Sequence, residues 1–245
     1  MPQSAAADAE IYARCMKLAK EDPHAAQSLV RSWLARGGAH PAEHCAAVTL
    51  ITLGQYQQGA NGLQALAQAM TTAPAALRAD VLDQAAQAWL LAGDPTRAYA
   101  AAGEAVSLQP NDPNLLIDRA EAAASAGYLN RAVDDLDRVL KANPNEVDAL
   151  IYRASAYRAL DRLDPARTDI DKALAQAPHS PAALLERGNI RRLEGDAAGA
   201  RKDWREVGQV APGSPEDMAA RANLEHLAQA GGAAQATPGN KAVPP

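Results

Sequence analysis

Apolar runs along this chain are broken, at even intervals, by short polar stretches that carry a proline. Four of these breaks read SLQPNDPNLL, KANPNEVDAL, AQAPHSPAAL and QVAPGSPEDM. Their prolines are Pro110, Pro144, Pro178 and Pro212, and the differences 144 − 110, 178 − 144 and 212 − 178 all equal 34. Twelve residues before each stands an alanine, namely Ala98, Ala132, Ala166 and Ala200, and twelve earlier another small residue, Ala86, Ala120, Ala154 and Gly188. Between the two small positions come Gly93, Gly127, Asp161 and Gly195. A repeat of this length marks units that bury one face against the next copy.

Each mark has a physical reading. A small residue in each half lets two antiparallel helices touch almost backbone to backbone. The glycine ends the first helix, because it adopts a left-handed cap without strain; Asp161 replaces it once, at a small cost. The proline stops the second helix and opens the next unit. Larger residues such as Leu82, Trp89, Leu116, Leu136, Leu150, Tyr157, Ile170, Leu184 and Trp204 then fill the gaps. This predicts four helix pairs, at 79–112, 113–146, 147–180 and 181–212. Residues 8–78 follow the same logic loosely and predict two degenerate pairs, at about 8–37 and 42–72. There Asp22-Pro23 precedes Ala26 as Asp94-Pro95 precedes Ala98, each an N-cap with proline in the first turn. Tyr56 stands four residues before Ala60, as Tyr128 does before Ala132, while Pro41 and Pro74 fall out of strict register. A closing helix over 213–231 would cover the last apolar edge and end at Gly231-Gly232. The start, 1–7, and the low-complexity tail, 232–245, predict disorder.

Composition agrees. Aromatics are 4% of 245 residues and phenylalanine is absent, so alanine and aliphatics must build the core. Alanine is the best helix former, and an all-α protein is expected. A net charge of −5 argues against nucleic acid as a partner, which needs clustered cations. Arg, Ala, Pro and Gly stand where Lys, Ile and Asn could have served, as in a GC-rich, bacterial genome. No run approaches the roughly 18 apolar residues that a membrane span needs. The start MPQSAAADAE has no basic region followed by an apolar core, so the default location is cytoplasmic. The same start could be the stub of a trimmed signal, which leaves a periplasmic location as the alternative.

The constant period, the small/small/proline marks and the glycine turn resemble the tetratricopeptide repeat, most closely over residues 79–212. The resemblance implies a right-handed superhelical solenoid of antiparallel helix pairs whose first helices line a concave groove, with a capping helix at the C-terminus. It implies that the groove holds a peptide or helix of a protein partner. The groove-facing positions would be Asp83, Gln87 and Leu90; Ile117 and Glu121; Ile151, Ser155 and Arg158; and Leu185, Asn189 and Arg192. Ile117, Ile151 and Leu185 recur at one level, either as an apolar stripe for a partner or as packing between neighbouring helices. Residues 79–146 carry eleven acids and five bases, and residues 147–212 ten and eleven. Asp83 and Glu121 would thus face Arg158 and Arg192 along the groove, fixing a partner's direction or simply solvating helix faces. Some members of this family grip the acidic tail of heat-shock chaperones with cations. Here Asp83, Gln87, Asp118 and Tyr152 stand at those levels, which speaks against that ligand.

Catalytic motifs do not appear: no nucleotide loop, nucleophile elbow or haem-attachment site. No enzyme activity and no cofactor are expected. His40, His44 and Cys45 form the one compact set of metal-capable residues, but Pro41 puts His40 at the helix mouth, and a metal is not expected. Trp33, Trp89 and Trp204 read as packing residues. Cys15 and Cys45 fall in the first helices of adjacent units and are either a disulfide or two buried thiols. The function this supports is a non-catalytic protein–protein interaction scaffold. The alternative is a self-assembling structural protein, so the chain is expected to be a monomer or a weak homo-oligomer.

Overall fold

The computed structural model describes residues 5–235, and every regular element among them is an α-helix. In chain order these are α1 (Ala5–Glu21), α2 (Pro23–Leu34), α3 (Ala39–Thr52), α4 (Tyr56–Ala69), α5 (Ala75–Leu91), α6 (Pro95–Leu108), α7 (Pro113–Ser125), α8 (Leu129–Ala142), α9 (Val147–Ala159), α10 (Leu163–Gln176), α11 (Pro181–Leu193), α12 (Ala197–Val210) and α13 (Pro215–Gln235). They belong to two compact units, Met1–Val139 and Leu140–Pro245. In the first unit the helices α1 to α7 pack in sequence, and α1 also packs on α3 and α5 on α7. In the second, α9 to α13 pack in the same sequential way, with α9 on α11 and α11 on α13. First helices therefore lie beside first helices within each unit.

The local chemistry of the helix ends explains the regularity. Asp22 and Asp94 accept hydrogen bonds from the Ala25 and Arg97 amides at 3.0 Å, each with proline opening the helix behind it. Asp112, Ser180 and Asp196 cap α7, α11 and α12 in the same manner. Such caps satisfy amides that have no partner within the helix, for about 1 kcal/mol each. At the turns, Gly93, Gly127 and Gly195 take φ of 74°, 80° and 87°. Asp161 takes φ of 58° in the fourth such turn and is the one non-glycine with positive φ among the described residues.

All eight small positions are buried. At Gly188 the reason for having no side chain is explicit: a Cβ there would lie within 3.0 Å of three atoms of the Trp204 indole. Between the paired helices of three repeats runs a feature that packing alone does not require. Arg119 holds buried Asp135 with two hydrogen bonds, Arg153 holds Asp169, and Arg187 holds Asp203. The three arginines and the three aspartates each recur with the period of the prolines; Ala85 and Ala101 occupy these places one repeat earlier.

Helix α1 begins at Ala5, and α13 runs through Gly231 and Gly232 to Gln235, beyond the glycine pair read from the sequence as its end. A glycine in a helix costs about 1 kcal/mol relative to alanine, and the alanines around this pair favour the helix. Residues 1–4 and 236–245 lie outside the described residues, and with them most of the expected disordered ends. No described helix is long and apolar enough to cross a membrane.

Candidate functional site

In the second unit, α9 presents Ile151, Ser155 and Arg158, and α11 presents Leu185, Asn189 and Arg192. Ile151 and Leu185 are half-buried and Arg192 is exposed. The polar members are not independent. Arg158 Nε donates to Glu186 Oε1 at 2.5 Å, and its guanidinium also reaches the Ser155 hydroxyl at 3.3 Å. Asn189 donates to the other oxygen of Glu186 at 3.2 Å and accepts from Asn223 of α13 at 2.9 Å. Glu186 is buried, so it needs these donors. Arg158 is thus the counterion of Glu186 within this unit, which leaves it less to offer a partner than the sequence suggests. Arg192, with Asn223, His226 and Leu227, borders a hollow of about 550 Å³.

In the first unit, α5 carries Asp83, Gln87 and Leu90, and α7 carries Ile117 and Glu121; all but the exposed Gln87 are half-buried. Gln87 donates to Asp83 Oδ2 at 3.0 Å, while Asp83 Oδ1 is buried without a partner. Burial first, and then the nearby charges of Asp118, Asp80 and Asp112, push the Asp83 carboxyl up to about 7. Asp118 is also raised, chiefly by burial. Two carboxylates repel, but one proton between them lets Asp83 donate to Asp118.

A hollow of about 610 Å³ opens between α1, α3, α4 and α5. Across it a hydrogen-bonded chain joins three first helices: the Tyr12 hydroxyl to His44 Nδ1 at 3.0 Å, and His44 Nε2 to Gln84 Oε1 at 2.9 Å. The Gln84 oxygen can only accept, so Nε2 carries the proton and Nδ1 accepts from Tyr12. Burial lowers the His44 pKa and raises that of Tyr12, keeping both neutral. Beneath it, Cys15 and Cys45 are joined in a disulfide with Cα atoms 6.2 Å apart. Val30, Trp33 and Ala42 pack around it.

His40 is exposed, in the first turn of α3, and pairs with Glu43 at 3.1 Å, far from acting as a ligand with His44. His44 instead bridges two other helices. Among the described residues no three His, Cys, Asp or Glu side chains converge as a metal set. The three tryptophans are buried; their indole nitrogens donate to Asp8, Gln64 and the Leu185 carbonyl. Sequence reasoning missed Tyr12, Gln84 and Glu186, and weighed His44 only as a metal-capable residue. Tyr12 and His44 lie where the repeat loses register and Gln84 in the first regular repeat, and nothing along the chain marks the three as neighbours. Glu186 adjoins the groove position Leu185, and only its burial singles it out.

Successive antiparallel helix pairs, a left-handed turn in each of the four regular repeats and first helices packed side by side define the class: a helical-repeat protein. The particular fold is that of tetratricopeptide-repeat proteins, and solved structures agree. A thermophilic tetratricopeptide protein of Thermus thermophilus is 19% identical, with 78% of this chain and 100% of that chain covered, at a TM-score of 0.61. A tetratricopeptide repeat protein of Parabacteroides merdae is 20% identical, covering 80% and 76%, at 0.62. YrrB, described as a tetratricopeptide protein with an unusual peptide-binding site, is 18% identical, covering 69% and 88%, at 0.56. At such identities the likeness establishes the fold alone. No protein-family model matches the chain, and no curated protein matches it in sequence.

Proposed function

We propose that this chain is a non-catalytic scaffold that holds a peptide or helix of a protein partner on the faces made by its first helices. The observation that carries this is in the second unit. Ile151 and Leu185 stand half-buried at equivalent places on adjoining helices, while Ser155, Arg158 and Asn189 on the same face are engaged with their neighbours. A partner therefore gains most by covering the part of these aliphatic side chains still in water, a fraction of the about 1.5–3 kcal/mol that full burial of each is worth. The peptide-binding site named for YrrB supports the reading as a precedent within the fold. A disulfide persists only in oxidising surroundings, so Cys15–Cys45 favours the periplasmic location over the cytoplasmic default.

The test is Ile151→Glu. Partner capture, measured by pull-down with quantitative mass spectrometry, should fall at least tenfold, about 1.4 kcal/mol, with helix content by circular dichroism unchanged. Unfolding would show Ile151 to be a core residue. Undiminished capture by a folded variant would move the partner to another surface.

A further inference from the structure

We infer that the hollow between α1, α3 and α5 receives a bulky apolar side chain of a partner segment whose neighbouring residues are lysine or arginine. This rests on the scaffold reading and assigns part of the binding to the first unit. The volume, about 610 Å³, falls in the range of sites that enclose small ligands. Its walls are Leu66, Met70, Leu77, Val81 and Pro41, and Leu77 is 47% exposed, a large aliphatic left in water at the mouth. On the floor the Tyr12 hydrogen and both His44 nitrogens are already paired, Tyr12 donating to His44 and His44 to Gln84. A polar small molecule would find few groups left to bond, whereas an apolar side chain needs none.

The rim decides the company that side chain keeps. Asp8 and Asp80 line the opening, and no lysine or arginine does. Asp8 is tied to the Trp33 indole, but Asp80 is exposed. Next along the face stand Asp112 and Asp118, with Asp83 between them, and like charge gathers there. A cation brought by the partner would offset that repulsion. The neutral imidazole of His44 does not oppose it. An acidic partner would add charge to this group and be rejected.

The experiment uses the whole chain with its disulfide intact and three fluorescein-labelled peptides in one Gly-Ser frame. One carries Leu-Trp flanked by lysines, one Leu-Trp flanked by glutamates, and one Ser-Ser flanked by lysines; binding is read by anisotropy. The first should bind saturably and the others at least tenfold more weakly. Ala9→Trp, an exposed α1 position on the hollow, should fill it and cost at least tenfold in affinity. Asp80→Lys, also exposed, should erase the preference for lysine over glutamate flanks. Equal binding of the lysine and glutamate peptides overturns the inference. So does undiminished binding by Ala9→Trp, or no saturable binding of the first peptide at millimolar concentration. Ile151→Glu separates the two readings. If it abolishes partner capture while the peptides ignore the hollow, the scaffold stands and this site falls. If it leaves capture intact while Ala9→Trp blocks the lysine peptide, this site stands and the second-unit face falls.

Discussion

Two side chains show how much one position can hold. Asp161 sits at φ of 58° where its three counterparts are glycines. An L-residue in that region bears strain of roughly 1–2 kcal/mol, less for aspartate, against which glycine's extra freedom in the unfolded chain must be set. Asp161→Gly should therefore raise stability by less than about 1 kcal/mol, and Asp161→Val should lower it, as read by chemical denaturation. Asp83 gives a pH signature. Its carboxyl moves from 3.8 to about 7 on folding, so the folded chain holds a proton that the unfolded chain releases. Its contribution is full below about pH 4 and is lost as pH rises through about 7. Asp83→Asn, which needs no proton to donate to Asp118, should melt higher than the parent at about pH 8, with the gap closing towards pH 4. A constant gap across that range would show that Asp83 titrates normally.

Between elements, the ties differ in kind. The Arg119–Asp135 pair joins α7 to α8 with Asp135 only 4% exposed. Removing one member of such a buried pair strands the other and costs about 3–5 kcal/mol, whereas replacing both is milder. The chain already contains the milder solution, Ala85 with Ala101. Asp135→Ala should thus destabilise more than the double variant Arg119→Ala/Asp135→Ala, measured by urea unfolding; the reverse order would deny the pair a buried charge. The disulfide ties α1 to α3 across a sequence separation of 30. Loops of that length lose about 3–4 kcal/mol when opened. Cys15→Ala/Cys45→Ala should lose stability on that scale, and non-reducing mass analysis of the parent should show two hydrogens fewer than the reduced form.

At the scale of the molecule, stability in a repeat protein is close to a sum over neighbours. A loss confined to α1–α4 should then not spread evenly. After reduction of Cys15–Cys45, amide exchange should quicken in α1–α3 while α9–α12 keep their protection. Uniform loss of protection would instead mean one cooperative block. The same locality would let the two proposed faces differ in chemistry: an acidic rim around an apolar hollow in the first unit, and an aliphatic pair beside a self-satisfied polar network in the second.

Whatever repeats or acts over a few residues was legible along the chain. Helix type, the caps at Asp22 and Asp94, the left-handed turns and the buried small positions all follow from local chemistry, most of it recurring once per repeat. The Arg–Asp pairs share that period and were equally present in the sequence, yet charge looks the same on paper whether solvated or buried. It took the packed fold to put Asp135, Asp169 and Asp203 inside, to give Arg158 to Glu186, and to bring Tyr12, His44 and Gln84 together. These last are separated by 32 and 40 residues, neither of them the repeat length. Their meeting depends on how two irregular helix pairs settle against each other and against the first regular one, and packing of that kind is a property of surfaces in contact rather than of spacing along a chain.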